Sequence, residues 1–320
     1  MTMENEAIAF GPVPSRRLGM SLGINNIPPK ICTYSCVYCQ IGKTLEMSIK
    51  RRVFYSPGQI YESVKERVEQ VRLRGIRIDY LSFVPDGEPT LDLNLGEEIK
   101  LLKGLGIKIA VITNSSLLWM EEVRRDLAPA DWVCVKVDAV SPEAFKKVDR
   151  PHGRLSLERI LEGLETFSRE FGNQLVSETM LIKGLNDSPE EIEKIAEFLS
   201  RIKPETSYIM VPTRPPAEEW AEGADEETLH RSYLIFKAHG LRPLLLTGSG
   251  EGSFGFTGDA ERDILATAAV HPMEKEAVEE ILRRSGADWS AVEKLIKEGK
   301  LREITYRGRV FLVRVFGRKK

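Results

Sequence analysis

Short apolar runs alternate with amphipathic stretches over most of the chain, and that alternation sets the first expectation about its fold. Runs rich in β-branched and aromatic residues at 21–24, 80–84, 107–113, 132–137, 175–182 and 208–211 read as strands. Between them, apolar positions recur at helical spacing over 60–73, 95–105, 117–127, 157–171, 189–202 and 226–238. The helix at 189–202 is well signposted: Asp187 or Ser188 supplies a cap, and Pro189, Glu190 and Glu191 place a proline and two acids in its first turn. Six such repeats predict an α/β protein built as a partial (β/α)6 TIM-like barrel rather than a flat sheet. In that architecture the chemistry collects at the C-terminal ends of the strands.

The pattern changes near residue 270. Helical spacing over 275–284 groups Ala277, Val278, Ile281 and Leu282; Asp288 can then cap a second helix with Trp289, Val292, Leu295 and Ile296 on one face and Gly299 at its end. Two strands follow at 301–306 and 309–316, joined by Arg307-Gly308. Helix, helix, hairpin is the outline of a winged helix, so the expected domains are a barrel over 1–260 and a small winged-helix-like domain over 270–320. The tail carries Lys300, Arg302, Arg307, Arg309, Arg314, Arg318, Lys319 and Lys320 against the single acid Glu303. Such a stripe suits phosphate contacts, as in RNA binding; it also suits the protection of a strand edge.

Composition narrows the classes without choosing among them. With 42% hydrophobic and 29% charged residues and a net charge of −2, the 320 residues describe a soluble globular protein with no global basic field. No apolar run approaches the roughly 20 residues of a membrane span, and residues 1–11 lack the basic-then-apolar layout of a signal peptide. The expected location is the cytoplasm, with no membrane partner.

The chemistry concentrates in the cysteines. Three of the four lie in Ile31-Cys32-Thr33-Tyr34-Ser35-Cys36-Val37-Tyr38-Cys39. Three thiolates can hold three irons of a [4Fe-4S] cluster and leave the fourth iron open to a small molecule. Zinc competes, but a structural zinc wants four ligands, and none of His152, His230, His239 and His271 lies near the triplet. A disulfide scaffold does not suit a chain of this length. Cys134, inside an apolar strand, reads as a small buried hydrophobe.

Polar residues gather at the ends of the expected strands. The strand at 80–84 runs into Pro85-Asp86-Gly87-Glu88-Pro89-Thr90, Thr113-Asn114-Ser115 closes the next, and Lys136-Val137-Asp138 the one after; Glu178 and Met180 lie within the fifth. Singly, each reads as a strand terminator or a helix cap. Together they read as the lining of a pocket. A glycine pattern at Gly250-Glu251-Gly252-Ser253-Phe254-Gly255 matches dinucleotide-binding loops, yet no complete βαβ unit follows, so it reads as a loop over the barrel mouth or leading to the next domain.

The C-x3-C-x2-C spacing, the aromatic Tyr38 before its last cysteine and the downstream Gly87-Glu88-Pro89 resemble the radical S-adenosylmethionine superfamily. That resemblance implies a [4Fe-4S] cluster on Cys32, Cys36 and Cys39 whose open iron is chelated by S-adenosylmethionine. One electron, from a donor such as ferredoxin or flavodoxin, then yields a 5′-deoxyadenosyl radical that abstracts hydrogen. It also implies that Gly87, Glu88 and Pro89 meet the methionine ammonium. Thr113 and Asn114 would face the methionine or ribose, Asp138 and Glu178 the ribose or substrate, and Met210 and Val211 the adenine.

Further blocks, Phe10-Gly11-Pro12-Val13-Pro14-Ser15-Arg16-Arg17-Leu18-Gly19, Cys39-Gln40-Ile41-Gly42-Lys43-Thr44, Val135-Lys136-Val137-Asp138-Ala139 and Arg150-Pro151-His152, resemble enzymes grouped with the wyosine (tricyclic base) synthases of transfer RNA over 8–260. No cysteine precedes Cys32, however, whereas archaeal wyosine synthases carry extra N-terminal cysteines for a second cluster. Condensation of pyruvate onto a guanosine, which depends on that cluster, does not carry over. Three classes of function remain. An enzyme acting on an RNA base is favoured by the basic tail and by Arg150, Arg154 and Arg214 in mouth-facing loops. A protein, peptide or small metabolite is the second substrate class, with the C-terminal domain as docking module or lid. A non-catalytic metal-binding winged-helix regulator is the third, and the full barrel argues against it.

Overall fold

The structure is a computed structural model and describes residues 8–246, 258–270, 273–306 and 309–315. The glycine-rich run at 250–255, together with Arg307, Arg318, Lys319 and Lys320, lies outside the described residues.

The chain opens with an antiparallel hairpin, β1 (Ala9–Ser15) and β2 (Gly19–Ile24), and a short parallel pair, β3 (Ile31–Cys32) and β4 (Glu46–Met47). Then come α1 (Pro57–Leu73), β5 (Tyr80–Phe83), a 3-10 turn at Pro89–Leu91, α2 (Leu95–Lys103), β6 (Lys108–Thr113), α3 (Glu121–Leu127) and β7 (Trp132–Lys136). Helices α4 (Pro142–Val148) and α5 (Leu157–Glu170) precede β8 (Gln174–Met180), α6 (Pro189–Ile202), β9 (Ser207–Met210), α7 (Glu226–Ala238) and β10 (Pro243–Leu246). The strands form one sheet in the order β1-β2-β5-β6-β7-β8-β9-β10, parallel from β2 onward. The two edge strands do not pair, so this is the partial TIM-like barrel that the repeats predict, left open.

Alternation along the strands builds two layers. Ala110, Trp132, Cys134, Val176, Tyr208 and Leu246 form one cluster inside the curve of the sheet, with Leu18 from the first hairpin. Their neighbours Ile109, Val111, Val133, Val135, Leu175 and Ile209 pack outward with the helices. Cys134 is fully buried in the inner layer, as expected of a small hydrophobe.

Four elements depart from the periodicity. Two prolines interrupt β1, which an edge strand tolerates. Strand β10 continues the parallel run beyond the sixth expected strand. Helix α3 starts only at Glu121, because Ser115 sits at φ +70° and turns the chain into buried, non-helical Leu117 and Leu118. Helix α4 is too short to show a period.

The C-terminal segment holds α8 (Ala260–Val270), β11 (Met273–Glu274), α9 (Lys275–Ser285), α10 (Ser290–Lys297), β12 (Leu301–Tyr306) and β13 (Arg309–Arg314). The strands form an antiparallel sheet in the order β11-β13-β12. Two helices and a hairpin thus stand where the sequence puts them. Their core of Val278, Ile281, Leu282, Val292, Leu295, Leu301 and Leu312 also takes in Ile264 and Ala268 of α8 and Val13 of β1. Among the described residues, no helix is long and apolar enough to cross a membrane.

Beneath the 3-10 turn, α2 buries Glu98 completely, beside Asp92 and Asn26. Burial, reinforced by the charge of Asp92, pushes Glu98 up to about 9 from an ordinary 4.5. The folded chain therefore binds more protons than the unfolded chain between those values, and stability falls as pH rises through that window. Melting temperature should decline from pH 6 to pH 9 in the wild type. In Glu98→Gln, which cannot ionise, the decline should be visibly shallower; equal slopes in the two proteins would clear Glu98.

Candidate active site

The cysteine loop leaves β3 at Cys32 and is held from two sides by main-chain hydrogen bonds. On one side, Lys30 N–H donates to Asp86 O at 2.6 Å and Glu88 N–H to Ile31 O at 3.2 Å. Gly87 makes this contact possible: a Cβ there would fall 1.9 Å from Ile31 O. On the other side, Ser35 N–H donates to Asp149 O at 3.0 Å, Val37 N–H to Val148 O at 2.9 Å and His152 N–H to Thr33 O at 2.9 Å. The Arg150-Pro151-His152 block is thus the second wall of the cysteine loop.

Glu88 joins the next strand end to this one. Its carboxylate is 1% exposed and accepts from Thr90 N–H at 3.1 Å, Thr90 Oγ1 at 2.5 Å, Thr113 Oγ1 at 2.6 Å and Asn114 N–H at 2.7 Å. Burial nonetheless raises its pKa, against the pull of those donors. Asn114 carries the link onward, its Nδ2 donating to Thr33 Oγ1 at 2.7 Å and reaching Cys32 Sγ at 3.5 Å. Pro89 opens the 3-10 turn, and its carbonyl accepts from Asn26 at 3.2 Å.

A second group of ionisable side chains gathers at the ends of β7 and β8. Lys136 Nζ lies 3.1 Å from Glu178, 4.0 Å from Asp138 and 4.6 Å from the centre of the Tyr38 ring. Arg17, from the first hairpin, also pairs with Glu178. Burial alone would raise Glu178, but the charges of Lys136 and Arg17 hold it down at about 2. Asp138 accepts from the Tyr38 hydroxyl and from Met180 N–H at 2.7 Å. Asp149 accepts from Cys36 Sγ at 3.5 Å, and burial with the nearby Asp138 charge lifts its pKa well above the usual carboxylate range. A cavity runs from these groups toward α4 and α5, walled by Tyr34, Tyr38, Asn114, Lys136, Asp138 and Phe145 among others.

The expected residues therefore divide. Glu88, Thr113 and Asn114 are wired to Cys32, Asp138 and Glu178 to the Lys136 group, and Met210 packs in the apolar cluster with Tyr38 and Cys36. Val211 is buried in the helix-facing core, in the position that Gly223 leaves open. Arg150 pairs with Glu218, Arg154 is exposed, and burial lowers Arg214 to about 10 despite Glu274 nearby. Lys136 and Asp149 were not singled out from the sequence as site residues. The available signal was that one sits inside, and the other directly before, a block already notable for its resemblance.

Cys32, Cys36 and Cys39 lie along the cysteine loop as half-buried thiols. Burial pushes Cys32 up to about 12, Cys36 well above its usual range and Cys39 upward, and the charges of Glu88, Asp149 and Asp86 respectively add to it. Among the described residues, no three His, Cys, Asp or Glu side chains converge tightly enough to chelate one ion. Three thiolates that each take a different iron of one cluster have no need to do so. The donor set and the close-packed Gly87 loop fit such a group.

The profile of the radical SAM superfamily matches residues 26–199. The chain belongs to the radical SAM superfamily. A UPF0026 protein of Methanocaldococcus jannaschii is 45% identical over 309 residues, covering 96% of each chain. Two solved radical SAM folds are similar in shape. A radical SAM methyltransferase from Sphaerobacter thermophilus aligns at TM-score 0.55 and 16% identity over 72% of this chain and 67% of its own. TYW1 with a lysine–pyruvate adduct bound aligns at 0.51 and 18% over 68% and 73%. Superfamily membership brings an iron–sulfur cluster and S-adenosylmethionine as the cofactors typical of this fold.

Gly87→Ala should separate the loop from β3. The clash should cost about 1–3 kcal/mol, as overpacking of a tight site does, and the purified protein should take up markedly less iron and sulfide on reconstitution. Full iron uptake with an unchanged melting temperature would show that the close contact is dispensable.

Proposed function

We propose that this chain is a radical S-adenosylmethionine enzyme that abstracts hydrogen from a nucleoside in RNA. In this reading Cys32, Cys36 and Cys39 hold a [4Fe-4S] cluster, and S-adenosylmethionine lies across the strand ends beside it. The observation that carries the reading is the joint construction of loop and strand ends: the Gly87 contact, the Glu88 carboxylate and the Asn114 amide tie Cys32 to β5 and β6. When bound, the cluster supplies the electron that cleaves S-adenosylmethionine to a 5′-deoxyadenosyl radical.

The chain's own residues bind, orient and exclude water. Glu88, with both oxygens engaged by protein donors, acts by fixing Thr113 and Asn114 rather than by touching the methionine ammonium. Asn114, Asp138 and Lys136 offer an amide, a carboxylate and an ammonium to the polar groups of the cofactor. Tyr34, Tyr38 and Phe145 give the cavity aromatic walls that keep solvent from a reactive centre. Met210 packs beside Cys36 and Tyr38, and its thioether would lie near the adenine.

The nucleic-acid substrate rests on charge. Residues 300–320, read as part of a winged helix, carry basic residues against the single acid Glu303, and Arg302 on β12 is exposed.

Anaerobic reconstitution should give a brown protein with a single four-iron cluster that slowly releases 5′-deoxyadenosine under a strong reductant. Cys36→Ala should abolish both iron and 5′-deoxyadenosine, and Cys134→Ala should keep them; equal loss in the two would overturn the ligand assignment.

RNA affinity should fall as salt rises, and Arg302→Ala should flatten that slope by about one phosphate contact. No affinity for RNA at any salt would transfer the reading to a protein or metabolite substrate.

A further inference from the structure

Lys30 stands where the chain enters the cysteine loop, and its backbone is left-handed at φ +62°. Glycine adopts that conformation without strain, whereas a lysine is held in it only by what surrounds it. Here the hold is main-chain: Lys30 N–H donates to Asp86 O at 2.6 Å, and Lys30 O accepts from Leu45 N–H at 3.0 Å and Glu46 N–H at 3.1 Å. A glycine would keep all three bonds, so what lysine adds at this position is its side chain. That side chain reaches across the loop to Gly42, where a Cβ would stand 3.3 Å from Lys30 Nζ. Gly42 N–H in turn donates to Cys39 O at 3.0 Å. The ammonium thus lies against the turn that follows Cys39, and the carboxylate of Asp86, only 5% exposed, is within electrostatic reach of both.

We propose, on the reading above that Cys39 holds an iron, that Lys30 is a positioning residue whose ammonium offsets the Asp86 carboxylate beside that sulfur and so makes the cluster easier to reduce. In the reduction one electron leaves a low-potential one-electron reductant, which is oxidised, and enters the cluster, which gains one unit of negative charge. No bond is made or broken, and no proton moves. A fixed negative charge nearby opposes that gain and a fixed positive charge favours it, the more so where water is excluded. Burial lowers the pKa of Lys30 most; Cys39 and then Asp86 act to raise it, and Arg302 of β12 acts to lower it. After burial, which raises it most, and a main-chain bond from Ile41, the pKa of Cys39 is lowered by Lys136 and Lys30 and raised by Asp86. With Lys30 gone, Asp86 would face Cys39 with Lys136 alone against it.

The test uses the full-length reconstituted protein without air, titrated against electrode potential and followed by the spin-resonance signal of the reduced cluster. Lys30→Met keeps the length of the side chain and removes its charge. At a fixed potential its ratio of reduced to oxidised cluster should fall about tenfold, which is about 59 mV for one electron. Lys30→Arg, which keeps the charge, should stay close to wild type. Asp86→Asn should shift the ratio in the opposite direction, and Lys30→Met combined with Asp86→Asn should return it near wild type, as two neighbouring charges that cancel require. A merely structural lysine would show instead as lost iron or a lower melting temperature, with no rescue by Asp86→Asn. Should Lys30→Met fail to take up iron, Asp86→Asn alone decides: a raised potential supports the offset, and an unchanged one overturns it. Equal potentials in wild type, Lys30→Met and Asp86→Asn at equal iron content would overturn the role of Lys30 while leaving the cluster intact. If the wild type itself took up no iron, the ligand reading would fail and this role with it.

Discussion

A carboxylate held between two cations in the interior of the sheet is the interaction on which the rest of this structure depends. Glu178 belongs to β8, Lys136 to β7, and Arg17 to the turn of a hairpin that precedes both by more than a hundred residues. Removing one partner from such a buried arrangement strands the others without compensation, at a cost of about 3–5 kcal/mol. The barrel is open, with β1 and β10 unpaired to each other. An axial set of ions therefore does what closure of hydrogen bonds does elsewhere, fixing the curvature of the sheet and the position of its first hairpin. Lys136 is shared with the pocket: its other neighbours are Asp138 and the Tyr38 ring. The ions that hold the fold thus lead directly to the second and third cysteines.

The cysteine loop itself has little regular structure, and its shape is imposed from outside. Segments 86–88 and 148–152 clamp it through main-chain groups, which leaves its side chains free for other work. The clamp also explains the elevated thiols. Between two walls a thiolate would be poorly hydrated, so the thiol form is favoured at all three half-buried sulfurs. In the function proposed above, loading a cluster on these thiols would release protons.

Much of this was legible in the residues, and what was not has physical reasons. The six parallel strands and most helices follow from periodicity because each buries one face in a large shared core. The clustering of Glu88, Thr113 and Asn114 follows from their places at consecutive strand ends. Lys136 and Asp149 escaped because their meaning is tertiary: a lysine at a strand end looks like any surface terminator until Glu178 is found beside it, and Asp149 acquires a role only when Cys36 folds against it. Val211 shows the opposite limit. It follows Met210 by one residue, and in an extended chain that single step carries the side chain to the other face of the sheet.

The C-terminal unit reads in the sequence as an appendage, and its hydrophobic core says otherwise. Val13 of the edge strand β1 packs in the same cluster as α8, α9 and α10. An open barrel has an edge to protect, and α8 lies against it. Covering that edge also fixes where the basic strands stand. Lys30, near Cys39, is lowered chiefly by burial, with a further contribution from the charge of Arg302 on β12. The basic strand is therefore within electrostatic reach of the cysteine loop. The packing that protects β1 therefore also sets where β12 and its Arg302 stand relative to the cysteine loop, so the integrity of the open edge and the placement of that charge are one constraint in this fold.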